Sequence, residues 1–332
     1  MPDTPTRWGI IGTGGIARMF AEDLQRLPGH EVLAVGSRSP GTAEAFARRH
    51  GIGRAYGSYA ELAADADLDV VYIATVHSAH LSAARTCLLA GRPVLVEKPF
   101  TVNATEAAEL ADLAAARGLF AMEAMWTRFN PIIKRLRRLV ADKAIGEITA
   151  LYADFGFAHE FDPDHRLWAP DLAGGALLDL GVYPVSLASM LLGQPDRVHA
   201  TSSTAPSGVD AQTAMVLRYP AGAVALLHCG LVAGSPQTAT VIGTRGRIEL
   251  AAPFFRPAEL RLLREGGQTE RFGIEIPGHG YTYQAQEVAR CLSEGLLESP
   301  LMPLEESVAV LRLLDTVREQ LREAHSPVAQ TT

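Results

Sequence analysis

The sequence predicts an α/β protein with a doubly wound parallel sheet in its first part and a large, mostly antiparallel open sheet in its second part. Up to about residue 125, apolar runs alternate with amphipathic helical segments, as in β-α-β units. From Ile148 to Leu263, shorter runs alternate apolar and polar residues between Gly and Pro turns, as antiparallel strands do. The 332 residues, of which 48% are hydrophobic, are enough for two domains.

Composition points to a small-molecule partner. The net charge of -7 argues against nucleic-acid binding. Cys87, Cys229 and Cys291 are isolated, so neither a disulfide framework nor a thiolate metal site is expected. No apolar run approaches the ~18 residues of a membrane span. We therefore expect a soluble, cytoplasmic protein that binds neither nucleic acid nor membrane.

The first strand and helix enclose a glycine-rich turn. A strand at Trp8–Gly12 is followed by a helix reaching Leu27, and Gly12, Gly14 and Ala17 form a Gly-x-Gly-x-x-Ala pattern between them. Glycines allow close approach of a pyrophosphate, and the helix N-terminus offers free N–H groups. This pattern indicates a dinucleotide-binding Rossmann domain. The predicted cofactor contacts in this turn are Gly12, Thr13, Gly14, Gly15 and Ile16.

The remaining strands and helices continue the alternation. Further strands are predicted at 31–36, 70–74, 93–96 and 119–124. Helices are predicted at 42–49, 77–90 and 104–117, and a further helix follows the turn at 56–59 and ends at Ala64. Ligands of such sheets bind at the carboxyl ends of the strands. The residues that fall there are Gly12, Ser37, Thr75, Glu97, Lys98 and Trp126.

The end of the second strand predicts the choice of cofactor. An NAD enzyme usually has an acid there, whereas this chain reads Ser37-Arg38-Ser39. A hydroxyl and a guanidinium suit a 2'-phosphate, so NADP is predicted, with NAD possible. The alternative is that Arg38 stacks on adenine regardless of the phosphate.

His77 and His80 follow the third strand at a spacing that would suit a metal. No cysteine or carboxylate cluster nearby completes a ligand set. We therefore predict that both histidines face the cofactor or cap the turn, and that no metal is bound.

Lys98 stands out because the chain uses lysine so rarely. Its 30 Lys and Arg residues include only three lysines, Lys98, Lys134 and Lys143. Lys98 follows an apolar strand, within the stretch Val94–Asn103. A lysine at this position indicates a site that needs a compact ammonium group able to lose its proton, because a guanidinium cannot do so. Chance retention in an Arg-rich composition is the alternative.

The second part contains another informative stretch. Gly174 to Tyr183 is predicted to open a helix that runs through Leu192 and puts Asp179 and Tyr183 at i and i+4 on one face. Three glycines in a helix suggest close approach to another group. The alternative is a helix packed tightly on the sheet, with Asp179 solvated.

The rest of the second part is predicted as a sheet with flanking helices. Strands are expected at 148–157, 198–203, 212–219, 223–229, 239–242, 246–250 and 259–263, and helices at 129–140, 281–294 and 305–323. The chain after His325 is expected to be frayed.

Together these motifs resemble the Gfo/Idh/MocA family of oxidoreductases. The resemblance rests on the glycine turn, on Glu97-Lys98-Pro99 and on the Gly174–Tyr183 stretch. Within the family, residues 56–59, 122–129, 174–181 and 298–300 resemble the branch of dimeric dihydrodiol dehydrogenases and NADP-dependent D-xylose dehydrogenases. The resemblance implies that Lys98 lies beside the nicotinamide and that Tyr183 replaces a histidine of many relatives. It further implies a homodimer or higher homo-oligomer formed through the second sheet.

We accordingly expect an NADP-dependent oxidoreductase that transfers hydride between nicotinamide and a carbinol or carbonyl carbon of a sugar or cyclic diol. A ketosugar reductase is one alternative. A non-catalytic NADP-binding sensor is another, although it would be expected to have lost Lys98 or Tyr183. The expected domains are residues 1–125 for the dinucleotide and residues 126–332 for substrate and oligomerisation.

The expected site residues fall into three sets. The catalytic residues are Lys98, Tyr183 and Asp179. The cofactor residues beyond the glycine turn are Ser37, Arg38, Thr75, His77, His80, Glu97 and Lys98. The substrate residues are Trp126, Phe155, Trp168, Asp179, Tyr183 and Phe255. The aromatic ones are expected there because flat rings suit the apolar faces of sugars and cyclic dienes, and Asp179 is expected to orient the catalytic pair or a sugar hydroxyl. Arg128, His165 and Arg166 are too scattered to predict a carboxylate or phosphate clamp, and the alternative for Arg166, near Trp168, is a contact with the cofactor.

Overall fold

The computed structural model describes residues 5–325, which form two compact units. The first unit comprises the chain up to Asn130 together with Glu275–Val308, and the second comprises Pro131–Ile274 together with the chain from Ala309. The segment Glu275–Val308 was expected in the second domain and is instead grouped with the first. The functional roles given to 1–125 and 126–332 stay predictions. The expectation about the chain after His325 concerns residues outside the described range.

The strands and helices follow the predicted alternation. The strands are β1 (Thr6–Ile11), β2 (His30–Gly36), β3 (Arg54–Tyr56), β4 (Val70–Ile73), β5 (Val94–Glu97), β6 (Ala121–Ala124), β7 (Ile148–Gly156), β8 (Arg197–Thr204), β9 (Asp210–Arg218), β10 (Val224–Gly230), β11 (Ala239–Gly243), β12 (Gly246–Leu250), β13 (Glu259–Arg264) and β14 (Glu270–Gly273). The helices are α1 (Gly15–Gln25), α2 (Pro40–His50), α3 (Tyr59–Ala63), α4 (His80–Leu89), α5 (Ala104–Arg117), α6 (Pro131–Ala141), α7 (Val182–Leu192), α8 (Thr282–Ser293) and α9 (Leu304–His325).

The first sheet confirms the doubly wound prediction. Its six strands are all parallel, in the order β3-β2-β1-β4-β5-β6. The order reverses between β1 and β4, so the ends of these two strands flank the position where such sheets bind ligands. Strands β4 and β5 are buried along their whole length, which explains their continuous apolar sequences.

The second sheet confirms the prediction of a large, mostly antiparallel sheet. Its eight strands have the order β14-β13-β12-β11-β7-β10-β9-β8, and only β7 and β10 pair in parallel. Along β9 buried and exposed residues alternate, so one face packs inward and the other is open. On the open face, Tyr152, Leu226 and Val216 lie in neighbouring positions of β7, β10 and β9.

The helix predicted from Gly174 to Leu192 is interrupted. Residues Leu177–Gly181 form a π-helical turn before α7 begins at Val182, so the prediction of one uniform helix was wrong. The segment Pro170–Leu192 also has the length and composition of a membrane span, contrary to our expectation that no apolar run would approach one. Of an apolar 18-residue window within this segment, 83% is buried inside the protein, as in a core helix.

Candidate active site

The turn after β1 requires glycine at position 12. Gly12 has φ +114°, a conformation that side chains disfavour, and a Cβ there would clash with the carbonyl of Ala74. The N–H of Gly12 donates to the carbonyl of Gly36 at 3.0 Å. The turn therefore lies tightly against the ends of both β2 and β4.

The N-terminus of α1 is open. Gly14 is its N-cap residue, with no side-chain cap. A Cβ on Gly14 or Gly15 would meet no atom within 4 Å, whereas Ala17 in the first turn is fully buried. An uncapped helix N-terminus with open space in front of it suits a phosphate group, so these residues fit the pyrophosphate of a dinucleotide.

Ser37 and Arg38 follow β2 at the predicted edge of the sheet. The N–H of Ser37 donates to the carbonyl of Tyr56 at 3.1 Å, which fixes the turn against β3. Arg38 is exposed, and among residues 5–325 no carboxylate forms an ion pair with it. Its guanidinium is therefore available to an anionic ligand.

His80 is fully buried and joins two loops. Its Nδ1 lies 2.8 Å from the carbonyl of Pro99 and its Nε2 lies 3.3 Å from the carbonyl of Thr75. Burial, helped by the charges of His77 and Lys98, lowers the pKa of His80 to about 3. The neutral ring thus ties the loop after β4 to the loop after β5, and a direct contact of His80 with the cofactor stays a prediction.

The Glu97-Lys98-Pro99 stretch contains a buried carboxylate. Glu97 accepts hydrogen bonds from the hydroxyl of Tyr72 and, at 3.1 Å, from the N–H of Lys98. Burial raises the pKa of Glu97 to about 7, although both hydrogen bonds oppose this shift. The Lys98–Pro99 peptide bond is cis. Lys98 itself is half-buried at the end of β5.

Trp126 belongs to the first unit and packs on a residue that the sequence analysis did not single out. Its ring lies 4.6 Å from that of Tyr281. The loop before α8 is held by the buried carboxylate of Asp23, which accepts the N–H groups of His279 and Tyr281, both at 2.8 Å. The sequence signal for this loop was the pair Gly278 and Gly280 flanking a histidine.

Tyr183, Phe155 and Phe255 form a cluster in the second unit. The rings of Phe155 and Phe255 stack at 4.1 Å, and the ring of Tyr183 meets them at 5.3 and 5.5 Å. Three predicted substrate residues are therefore brought together.

Trp168 packs elsewhere in the same unit. It is buried, its Nε1 donates to the carbonyl of Glu160 at 2.9 Å, and its ring lies 5.6 Å from that of Phe161. The structure does not bring Trp168 into ring contact with the Tyr183 cluster.

Asp179 lies in the π-helical turn and is buried. Its Oδ1 accepts a hydrogen bond from Nη1 of Arg166 at 3.0 Å. The alternative of a solvated Asp179 is therefore excluded. A π-helical turn follows an i to i+5 pattern, and such turns occur frequently at functional sites.

Asp210 positions the π-helical turn and was missed by the sequence analysis. It accepts the N–H of Leu177 at 2.7 Å and the hydroxyl of Thr213 at 2.9 Å. Gly175, with φ +113°, makes room for it, because a Cβ there would clash with the Asp210 carboxylate. Burial raises the pKa of Asp210 to about 6.

These features define an oxidoreductase built on a dinucleotide-binding sheet. Residues 6–125 match the family described as an oxidoreductase family with an NAD-binding Rossmann fold, and residues 133–249 match the Gfo/Idh/MocA C-terminal domain. The chain belongs to the Gfo/Idh/MocA family of oxidoreductases, as its motifs suggested.

Curated relatives cover nearly the whole chain. The chain is 39% identical over 330 residues to the trans-1,2-dihydrobenzene-1,2-diol dehydrogenase of Bos taurus, and the matched region covers 95% of this chain and 96% of that relative. The Homo sapiens enzyme of the same name is 38% identical over 327 residues, with coverage of 95% and 96%. The resemblance to the dihydrodiol dehydrogenase branch is thereby confirmed.

Among solved structures, the chain is similar to KijD10, a 3-ketoreductase from Actinomadura kijaniata crystallised with NADP and TDP-benzene. The TM-score is 0.84 and the identity 28%, with 96% of this chain and 98% of that chain covered. The predictions of fold class, oxidoreductase family and NAD(P)-binding domain are confirmed. The roles of individual site residues stay predictions.

Proposed function

We propose that the protein is an NADP-dependent dehydrogenase acting on a carbinol carbon of a sugar or cyclic diol. The observation that carries this proposal is the position of Tyr183. Its ring, which bears a hydroxyl group, is buried and packs against the stacked rings of Phe155 and Phe255. Stacked aromatic rings suit the flat apolar face of a cyclic substrate, and a phenol can exchange a proton with a substrate hydroxyl. The activity named for the relatives at 38 to 39% identity supports the same chemistry.

The cofactor assignment rests on the first unit. Gly12 to Ile16 bind the pyrophosphate, Ser37 and Arg38 bind the 2'-phosphate, and Thr75, His77, His80, Glu97 and Lys98 belong to the loops around the nicotinamide. When bound, the nicotinamide supplies or accepts the hydride. Lys98 donates a hydrogen bond to the reacting oxygen or to Tyr183, and Tyr183 exchanges a proton with the substrate hydroxyl. Asp179 orients a substrate hydroxyl.

The proposal is tested by a substrate screen with NADP. D-xylose, D-glucose, myo-inositol and a trans-dihydrodiol are compared with hydroxy acids and sugar phosphates. We expect the neutral sugars or the diol to be oxidised preferentially, because Asp179 and Arg166 form a charge-paired group rather than an unpaired anion clamp. A clear preference for either anionic class would refute the proposal.

A ketosugar reductase is the second candidate function. The similarity to the 3-ketoreductase KijD10 favours it. In that direction, Tyr183 would donate its proton to the substrate carbonyl oxygen, and the same site would bind NADPH. Measuring NADPH oxidation with ketosugars beside NADP reduction with their alcohols distinguishes the two directions.

Arg38 is expected to select NADP over NAD. Changing Arg38 to Ala should weaken NADP binding by about 10- to 100-fold, because a hydrogen bond to a charged group contributes about 1.5 to 3 kcal/mol. Binding of NAD should change little. The dissociation constants of both cofactors are measured by nucleotide fluorescence, with Arg48→Ala, another exposed arginine of the same unit, as the control. If the substitution weakens the binding of NADP and NAD equally, Arg38 only stacks on adenine and does not bind the 2'-phosphate.

We further propose that the open face of the second sheet forms a homodimer interface. Leu226 lies between Tyr152 and Val216 in the cross-strand register, and all three are exposed apolar side chains. Such a row is unusual on a surface that faces only water. A two-fold axis that runs parallel to the strands over Leu226 would place Tyr152 of each copy on Val216 of the other, which gives a self-complementary interface.

Leu226→Glu is expected to convert the dimer to a monomer, because it buries a charge at the centre of the interface. Sedimentation velocity measures the mass in solution. Leu297→Glu is the matched control, since Leu297 is 47% exposed, against 45% for Leu226, and lies in the other unit. A monomeric wild type, or a dimer that survives Leu226→Glu, would contradict the interface.

A further inference from the structure

The backbone that carries Lys98 is held by three buried side chains from different elements of the first unit. Glu97 accepts the N–H of Lys98 at 3.1 Å. Glu123 accepts the N–H of Phe100, also at 3.1 Å. The carbonyl of the proline between them lies 2.8 Å from Nδ1 of His80. Three successive polar groups of this loop are thus fixed by side chains that are shielded from water.

Glu97 and Glu123 reach this backbone from opposite faces of the first sheet. Glu97 is the last residue of β5, and Glu123 lies on β6 opposite Val96. Successive residues of a strand point to opposite faces, so Glu123 shares its face with Val96 and not with Glu97. The loop that carries Lys98 is therefore held from both sides of the sheet.

Tyr72 binds the carboxylate of Glu97 from the neighbouring strand β4. It lies opposite Leu95 in the pairing of β4 with β5, so its side chain and that of Glu97 share one face of the sheet. Its hydroxyl donates to Oε1 of Glu97, whose Oε2 accepts the N–H of Lys98. The ring of Tyr72 is buried and stacks on Phe20 of α1 at 4.0 Å, which fixes the direction of the hydroxyl.

The charge of Glu97 depends on this contact. Burial raises the pKa of Glu97 to about 7, and the hydrogen bond from Tyr72 is the largest influence that lowers it. Two charged neighbours also act on this pKa: the ammonium group of Lys98 lowers it, and the carboxylate of Glu123 raises it. The ring of His80 stays neutral at pH 7, because burial lowers its pKa to about 3.

Protonation of Glu97 weakens its hold on Lys98. An ionised carboxylate accepts hydrogen bonds at both oxygens, whereas protonation turns one of them into a donor. A hydrogen bond to an ionised acceptor is also roughly twice as strong as one between neutral groups. The N–H of Lys98 is therefore held firmly only while Glu97 is ionised.

We propose that Tyr72 is a positioning residue for hydride transfer, because its hydrogen bond keeps Glu97 ionised and the ionised carboxylate fixes the backbone of Lys98. The lysine then presents its ammonium group to the reacting atoms from a fixed position. When Glu97 takes up a proton this position is lost, so activity falls as the pH is lowered through neutrality. This inference rests on the proposed function, because it concerns the lysine that serves that reaction.

The test compares the pH dependence of kcat/KM for Tyr72→Phe and the wild type, with NADP and the best substrate of the screen. The wild type should lose activity below about pH 7, where Glu97 is protonated. Loss of a hydrogen bond to a charged group should move this limb to higher pH by about one to two pH units. At pH 7 kcat/KM should therefore fall about 5- to 50-fold and recover as the pH is raised.

Glu97→Gln shows whether Tyr72 acts through Glu97. Glutamine keeps an oxygen that can accept the N–H of Lys98, but it cannot ionise, so the limb near pH 7 should disappear. Adding Tyr72→Phe to Glu97→Gln should then change the pH profile little, because two residues that act through one another are not additive. If Tyr72→Phe does not fold, a limb near pH 7 that persists in Glu97→Gln overturns the inference.

Tyr56→Phe is the matched control. The hydroxyl of Tyr56 also donates to a buried carboxylate of the first unit, that of Asp65, at 2.9 Å. Its loss should keep the wild-type pH profile. Thermal unfolding shows whether each variant is folded. Hydrogen exchange of the peptide that contains the N–H groups of Lys98 and Phe100 should be faster in Tyr72→Phe and unchanged in Tyr56→Phe.

The outcomes separate this inference from the proposed function. If the wild type oxidises a sugar or diol but has no limb near pH 7, or if the limb does not move in Tyr72→Phe, the inference is overturned and the proposed function stands. If the wild type oxidises no neutral alcohol or sugar, the proposed function fails. Hydrogen exchange then decides the inference, and equal exchange in Tyr72→Phe and the wild type overturns it.

Discussion

Replacing Tyr183 with Phe is expected to lower turnover about 100-fold or more, while the dissociation constant of NADPH stays the same. The substitution removes the hydroxyl that exchanges a proton with the substrate. It keeps the ring that packs on Phe155 and Phe255, so the aromatic cluster should remain intact. Steady-state kinetics measures turnover, and nucleotide fluorescence titration measures cofactor binding.

Tyr219 provides a matched control for this substitution. It is a buried tyrosine of the same unit, and its hydroxyl has no hydrogen-bond partner in the described part of the chain. Tyr219→Phe removes a buried polar atom that no protein group satisfies, so turnover and stability should be kept or slightly improved. Near-normal turnover of Tyr183→Phe would remove Tyr183 from the proton-transfer step.

Lys98→Met is expected to have a comparable effect on turnover, about 100-fold or more. Methionine is also unbranched and fills much of the same space, but it cannot donate a hydrogen bond to the reacting oxygen. Glu97, which accepts the N–H of Lys98, is buried and has a pKa raised to about 7, so the lysine follows a carboxylate that titrates near neutral pH. Turnover is measured across pH with NADPH binding measured in parallel.

The scarcity of lysine gives this experiment a simple control. Lys143 lies in the second unit, is exposed and pairs with Glu147 at 2.6 Å. Lys143→Met removes an equal charge from the surface and should leave turnover unchanged, since exposed ion pairs contribute little. If Lys98→Met keeps wild-type turnover, the lysine has no part in the chemistry.

The regular elements were predictable from the sequence because their signals are local. Helix α5 has the predicted bounds Ala104–Arg117, since Asn103 caps its first turn and Gly118 ends it in the left-handed conformation. Strand β12 also has its predicted bounds. Strands β3 and β14 were not predicted, because they have only three and four residues, lie at sheet edges and carry charged residues.

The supporting residues of the site were not predictable because they act across long sequence distances. Asp210 accepts the N–H of Leu177 at the start of the π-helical turn, although it is 33 residues away in sequence. The residues that flank Asp210 in the sequence do not indicate this role. Arg166 was predicted only as one of several scattered cations, with a cofactor contact as the alternative, yet Gly174 and Gly175 hold its segment against the turn that carries Asp179. The glycines were visible in the sequence as a sign of close approach, but their partners were not.

The discontinuity of the first unit has a consequence for how the protein is made. Asp23 lies on α1, the helix of the glycine turn, and its carboxylate is buried. The N–H groups that it accepts belong to His279 and Tyr281, which are 256 and 258 residues further along the chain. On the ribosome, β1 to β6 emerge long before these partners exist. Until translation has passed Tyr281, the Asp23 carboxylate lacks these two partners and is left to water, so the native packing of the first unit is completed only late in synthesis.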